Sequence, residues 1–103
     1  MDKIAMLKEI LAQQPGDAFA QYGLAMAYAS EGDLATSVVE FDRLLERHPD
    51  YTPGYFMAGQ TLVKAGRVDE AAGRLREGIA SAQRTGNAHA LSEMQQLLEE
   101  LED

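Results

Sequence analysis

Two kinds of helix breaker recur in this chain at a single interval. Pro15 and Pro49 stand 34 residues apart, and so do Gly32 and Gly66. The two series are offset by 17 residues. Alternating Pro and Gly stops at this spacing leave room for about a dozen helical residues between neighbours. They prescribe a helical hairpin repeated along the chain.

The residues between the stops have helical periodicity. In 1–14, Ile4, Leu7, Ile10 and Leu11 share a face. Moving this set by 34 gives Val38, Phe41, Leu44 and Leu45, which with Leu34 form the apolar set of 34–48. The first helix is therefore equivalent to the second helix of a hairpin whose first half is missing. In 67–83 the set is Val68, Ala71, Ala72, Leu75 and Ile79. The β-branched residues are scattered rather than alternating, so no strand is expected. The reading is six helices, at about 2–13, 18–30, 34–47, 52–65, 68–84 and 88–101. Asp17, Asp33, Thr52 and Asn87 stand at N-cap positions, Pro53 suits a first turn, and Gly32 and Gly66 suit left-handed helix ends.

Length allows one domain. The 103 residues are 46% hydrophobic and 25% charged, a balance that favours a folded chain over a disordered one. With no Cys, disulfides, thiolate metal sites and Cys nucleophiles are excluded. A net charge of −8 repels phosphate backbones, so neither nucleic acid nor an anionic membrane is an expected partner. The N-terminal stretch has no apolar run longer than the four residues 4–7, so neither a signal peptide nor a membrane span is read there, and a cytoplasmic location is expected.

The residues resemble the tetratricopeptide repeat pattern W-x-x-L-G-x-x-Y, then A-x-x-x-F, then P. Residues 18–51 carry Gln21, Leu24, Ala25 and Tyr28, then Ser37 and Phe41, then Pro49. Gln21 stands in for the aromatic residue and Ser37 for Ala. Residues 52–85 carry Tyr55, Ala58, Gly59 and Leu62, then Ala71 and Leu75; Gln83 stands where Pro belongs, so this helix is expected to run on. The resemblance implies an all-α, right-handed superhelix of antiparallel helix pairs. Residues 1–17 then form a half-repeat, 18–51 and 52–85 two full repeats, and 86–103 a capping helix. In the last, Leu91, Met94, Leu98 and Leu101 make one stripe backed by acids.

Charge is unevenly placed. Residues 18–30 contain none, and 52–65 contain only Lys64, whereas 34–48 and 67–84 are rich in Glu, Asp and Arg. A helix without a polar face is covered on two sides or receives a partner. The resemblance assigns the first helix of each pair to a concave groove that binds peptides. The stripe left after Leu24, Ala25 and Tyr28 are given to packing is Phe19, Tyr22, Met26 and Ser30; the matching stripe in 52–65 is Phe56, Gln60 and Lys64. The competing reading buries Phe19, Tyr22 and Met26 against helix 2–13. The basic clamp that some members of the family use for terminal carboxylates is missing, since only Lys64 is basic on this face. An uncharged groove with aromatic and Met side chains suits an apolar peptide or an amphipathic helix.

Catalytic signatures are absent: there is no GxGxxG, phosphate loop or HExxH, and the two His, His48 and His89, are far apart in sequence. The adjacent acids Asp69-Glu70 and Glu99-Glu100 diverge on a helix. Neither a catalytic site nor a metal or other cofactor is expected. Lys64, Arg67, Arg74, Arg76 and Arg84 either form a patch for an acidic partner or pair locally with Asp69, Glu70, Glu77 and the acidic tail; local pairing is expected, as of Glu70 with Arg74 at i, i+4. The functional expectation is a non-enzymatic adaptor or scaffold that holds a protein or peptide segment. The alternative is homodimerisation through the same apolar surface.

Overall fold

A computed structural model describes residues 2–103. It contains α1 (Lys3–Gln13), α2 (Ala18–Ser30), α3 (Leu34–Arg47), α4 (Thr52–Lys64), α5 (Val68–Thr85) and α6 (Ala88–Glu102), with no strand among the described residues. Each helix packs against the next, α2 also approaches α4, and α4 approaches α6. The odd and even helices thus form two layers of a superhelix, with α2, α4 and α6 along its inner side.

Local chemistry sets the helix ends. Asp2, Asp17, Asp33 and Asn87 each accept a bond from the backbone N–H three residues on, which satisfies an otherwise orphaned donor. Thr52 does not cap. Tyr51 occupies the cap position of α4 without a side-chain bond, and Pro53 fills the first turn. Thr52 is instead inside the helix and buried, its hydroxyl 2.9 Å from that of Ser81. Gly32 and Gly66 have φ of 84° and 77°. Each lets the chain fold back so that the following N–H reaches the carbonyl five residues earlier: Asp33 to Tyr28 at 3.0 Å, Arg67 to Leu62 at 2.8 Å. Gly86, φ 69°, repeats the device after α5, with Asn87 bonded to Ala82 at 2.9 Å. With Gln83 in place of Pro, α5 runs for 18 residues to that glycine.

The helices approach closely because small residues stand at the contacts. A Cβ on Gly59 would meet Leu75 Cδ2 at 2.8 Å. Ala25 and Ala71 are fully buried, and Ser37, in the slot of an Ala, donates to the Ala25 carbonyl at 2.7 Å. Phe41, Leu44, Leu75 and Met94 fill the centre and are fully buried. Helix α1 rests on α2 through Leu7, Ile4 and Leu11 against Ala20, Leu24, Ala27 and Tyr28. Phe19, Tyr22 and Met26 take no part in that small cluster.

The arginines of 67–84 are paired locally, as the sequence predicts, with Glu70, Glu77 and the acidic tail, but the expected pair of Glu70 with Arg74 does not form. Glu70 meets Arg67 at 2.6 Å, one turn back rather than one turn on, and Arg67 holds its carboxyl below the usual carboxylate range. Arg74 reaches across the repeat to Asp42 at 2.7 Å and along its own helix to Glu77 at 2.9 Å. Arg76 meets Glu102, and Arg84 meets Asp50. Arg74–Asp42 ties α5 to α3, and Arg76–Glu102 ties it to α6.

Candidate interaction surface

The uncharged sequence of α2 and α4 lies on the inner side of the stack, where the two helices run side by side. Tyr22, Met26 and Phe56 are half-buried, and all three lean on the main core. The Tyr22 ring packs edge-on to Phe41, centroids 6.3 Å apart, and tilted against Tyr51 at 5.4 Å. Burial, with the nearby Tyr51, pushes the Tyr22 phenol above its ordinary range. Gln60 is half-exposed, while Ser30 and Lys64 stand in solvent near the ends of α2 and α4. Among the described residues, no acid lies within ion-pair distance of Lys64. Phe19 is 77% exposed at the start of α2, so it is neither packed on α1 nor drawn into the aromatic cluster.

The inner side continues onto α6, which the sequence reading of the site leaves out. Helix α6 begins 36 residues after α4, because α5 outlasts α3. At that offset Ser92, Gln96 and Glu100 stand in the places of Phe56, Gln60 and Lys64, and all three are exposed. Gly86 was the available signal: it marks a third helix end, at an interval that breaks the 34-residue period.

Two clefts open where α1 meets α3 and where α3 meets α5. The first, about 710 Å³, lies among α1, α2 and α3 and is lined by Lys8, Leu11, Gln21, Glu40, Arg43 and Arg47, among others. The second, about 540 Å³, lies among α3, α4 and α5, with Asp42, Arg74 and Glu77 on its walls. Moving Lys8, Glu40 and Arg43 by 34 gives Asp42, Arg74 and Glu77, the same three positions with every sign reversed. Glu40 is bound by Arg43 at 2.8 Å and by the Gln21 amide at 2.5 Å.

His89 faces Glu93 at 3.4 Å on the exposed side of α6. No group of three or more His, Cys, Asp or Glu able to hold a metal occurs among the described residues. No helix is long and apolar enough to cross a membrane.

This geometry, two layers of short antiparallel helices tied by small-residue contacts and glycine turns, is that of a helical-repeat interaction module. The sequence profile of the tetratricopeptide repeat family matches residues 29–97, and the chain belongs to that family. A TPR repeat-containing protein of Pseudomonas aeruginosa is 28% identical over 96 residues, covering 93% of this chain and 91% of its own. Among solved structures, the tetratricopeptide repeat domain protein of Salinibacter ruber superposes with a TM-score of 0.78 at 29% identity, covering 84% of this chain and 96% of its own. The TPR2B domain of yeast Sti1, in a structure described as its complex with pHsp70, has a TM-score of 0.88 at 16% identity, covering 96% of this chain and 79% of that one. At that identity the last likeness concerns the fold.

Proposed function

We propose that the protein is a non-enzymatic adaptor that holds a protein or peptide segment along its inner surface. The observation that carries this reading is the side-by-side placement of α2 and α4, which between them present Tyr22, Met26, Phe56 and Gln60 half-exposed and only one charge, Lys64. A partner's apolar side chains would rest on Tyr22, Met26 and Phe56, its backbone would bond Gln60, and Lys64 would meet an acid. A related fold seen with a pHsp70 partner supports a protein ligand in general. In this reading α1 is a half-repeat, α2–α3 and α4–α5 are full repeats, and α6 is a cap that extends the surface with polar groups.

Self-assembly is the second reading. It is favoured by Met6 and Ile10 on α1 and Phe19 on α2, which are 46%, 36% and 77% exposed near the N-terminal end. The experiment is affinity capture from a cell extract with the parent, with Tyr22→Ala/Phe56→Ala, and with Gln83→Ala on exposed α5 as control. Light scattering of each protein accompanies the capture. The adaptor reading expects partner loss in the double variant alone, with helicity and molecular mass unchanged. Unfolding of the double variant, or conversion of a dimer to a monomer, would assign the stripe to core or self-interface.

A further inference from the structure

The larger outer cleft is lined by the one residue that departs from the repeat at its aromatic position. In the second repeat Tyr55 stands at the aromatic position, is 5% exposed, and its hydroxyl donates to the Pro49 carbonyl at 2.8 Å. In the first repeat the same position is Gln21. Its shorter side chain turns to Glu40 instead, and the carbonyl of Pro15, equivalent to Pro49, is taken by the Arg47 guanidinium at 2.5 Å. With no aromatic ring over it, the Gln21–Glu40 pair opens onto a cleft of about 710 Å³, against about 540 Å³ in the repeat that carries Tyr55.

The cleft is a built polar site. Its floor has two polar side chains more than nine-tenths buried, Gln21 and Glu40. Both make their hydrogen bonds within the protein. Leu11 and Leu24 add apolar wall. Three cations, Lys8, Arg43 and Arg47, stand around it, against the two acids Glu40 and Glu46, in a chain of net charge −8. Glu40 occupies Arg43. Among the described residues, no carboxylate lies within ion-pair distance of Lys8 or Arg47. Lys8 is held over the Tyr28 ring at 5.7 Å, and Arg47 bonds only an uncharged carbonyl. Two cations without counter-charge beside an apolar wall call for a ligand that combines carboxylates with an aliphatic side chain.

We propose that this cleft, on the face opposite the inner surface, is a second docking site that takes an acidic protein segment, with one aliphatic side chain against Leu11 and Leu24 and carboxylates on Lys8 and Arg47. The equivalent cleft of the next repeat is smaller and lined by Asp42, Glu70 and Glu77 around a fully paired Arg74, so it repels the same segment. The two faces are independent, and a segment bound outside leaves the inner strip open.

The probe is a capped pentapeptide of alternating Glu and Leu, with the alternating Lys and Leu peptide as its charge-reversed counterpart. Each is titrated into the isotopically labelled protein and followed by amide chemical shifts. The acidic peptide should move the amides of Lys8, Leu24, Glu40 and Arg47, and raising salt from 50 to 500 mM (about tenfold) should weaken it several-fold. Gln21→Tyr, which restores the aromatic of the second repeat and covers the cleft floor, should weaken binding about tenfold while the helical signal is kept. Lys8→Glu/Arg47→Glu should abolish it, and Tyr22→Ala/Phe56→Ala should leave it unchanged. The proposal is overturned by equal binding to Gln21→Tyr, by equal binding of the lysine peptide, by absence of shifts at millimolar peptide, or by loss of binding only in the inner-surface variant.

Discussion

Helix α5 contains two glycines for which the same substitution should have opposite signs. Gly73 is exposed, and a Cβ there would meet nothing within 4 Å. Gly78 is buried where α4, α5 and α6 meet, and a Cβ there would press into Met94 Sδ and Tyr55 Cβ and lie 3.0 Å from Tyr55 Cγ. Replacing glycine by alanine inside a helix stabilises by ~0.5–1 kcal/mol, because the unfolded chain has less freedom to lose. Gly73→Ala should gain that amount. Gly78→Ala gains the same term but must separate packed helices. The Met94 sulfur can swing aside; the Tyr55 Cβ is fixed to the α4 backbone and cannot. Overpacking of this kind costs ~1–3 kcal/mol, and a backbone-anchored neighbour places it in the upper half of the range. The net for Gly78→Ala is a loss of about 1–2.5 kcal/mol, which for a domain of this size lowers Tm by roughly 4–20 °C. Urea and thermal unfolding followed by circular dichroism at the helical band would measure both variants. If Gly78→Ala were as stable as Gly73→Ala, the close contact of α4 with α5 at Tyr55 would be wrong.

Gly66→Val should destabilise by about 1–2 kcal/mol in urea, because φ of 77° penalises a β-branched residue even though the side chain would meet nothing; equal stability would refute the left-handed turn. Burial raises the phenol pKa of Tyr22, Tyr51 and Tyr55. The folded chain therefore binds those protons more tightly than the unfolded one, so stability should be full below about pH 10 and fall as pH rises through the raised values. Unfolding at pH 8 and pH 11, with tyrosinate absorbance recorded in parallel, checks the direction.

Most of the fold was legible because the signals for it are local and periodic. Pro15, Pro49, Gly32 and Gly66 punctuate the chain by restricting φ or freeing it, and no tertiary contact is needed to read them. The closeness of Ala25, Gly59 and Ala71 to their neighbours was likewise readable as a repeat of small size. Thr52 was misread because a hydroxyl at a helix start is a good cap in isolation, but in the fold it finds a better partner in Ser81, 29 residues away. For Arg74 the local partner Glu77 was legible but Asp42 was not: periodicity offers Glu70 and Glu77, while the superhelix adds Asp42. In the candidate surface, Tyr22 and Met26 were legible as a shared face of an uncharged helix. The packing of Tyr22 against Tyr51 was not, since a loop residue has no register. The contribution of α6 was hidden by the longer α5, which shifts the offset from 34 to 36.

The sign reversal between Lys8, Glu40 and Arg43 and their counterparts Asp42, Arg74 and Glu77 bears on how the chain assembles. Repeats built on one plan present nearly interchangeable apolar faces, so during folding α1 has the shape to settle where α3 belongs. In that slipped arrangement Lys8 would stand beside Arg74, and the same two cations would meet if α5 settled where α3 belongs. Like charges would meet in each case, and Arg74 would lose its pairing with Asp42. The alternating polarity gives each junction a key that fits only its own neighbour, and so fixes the order of helices that hydrophobic pattern alone leaves degenerate.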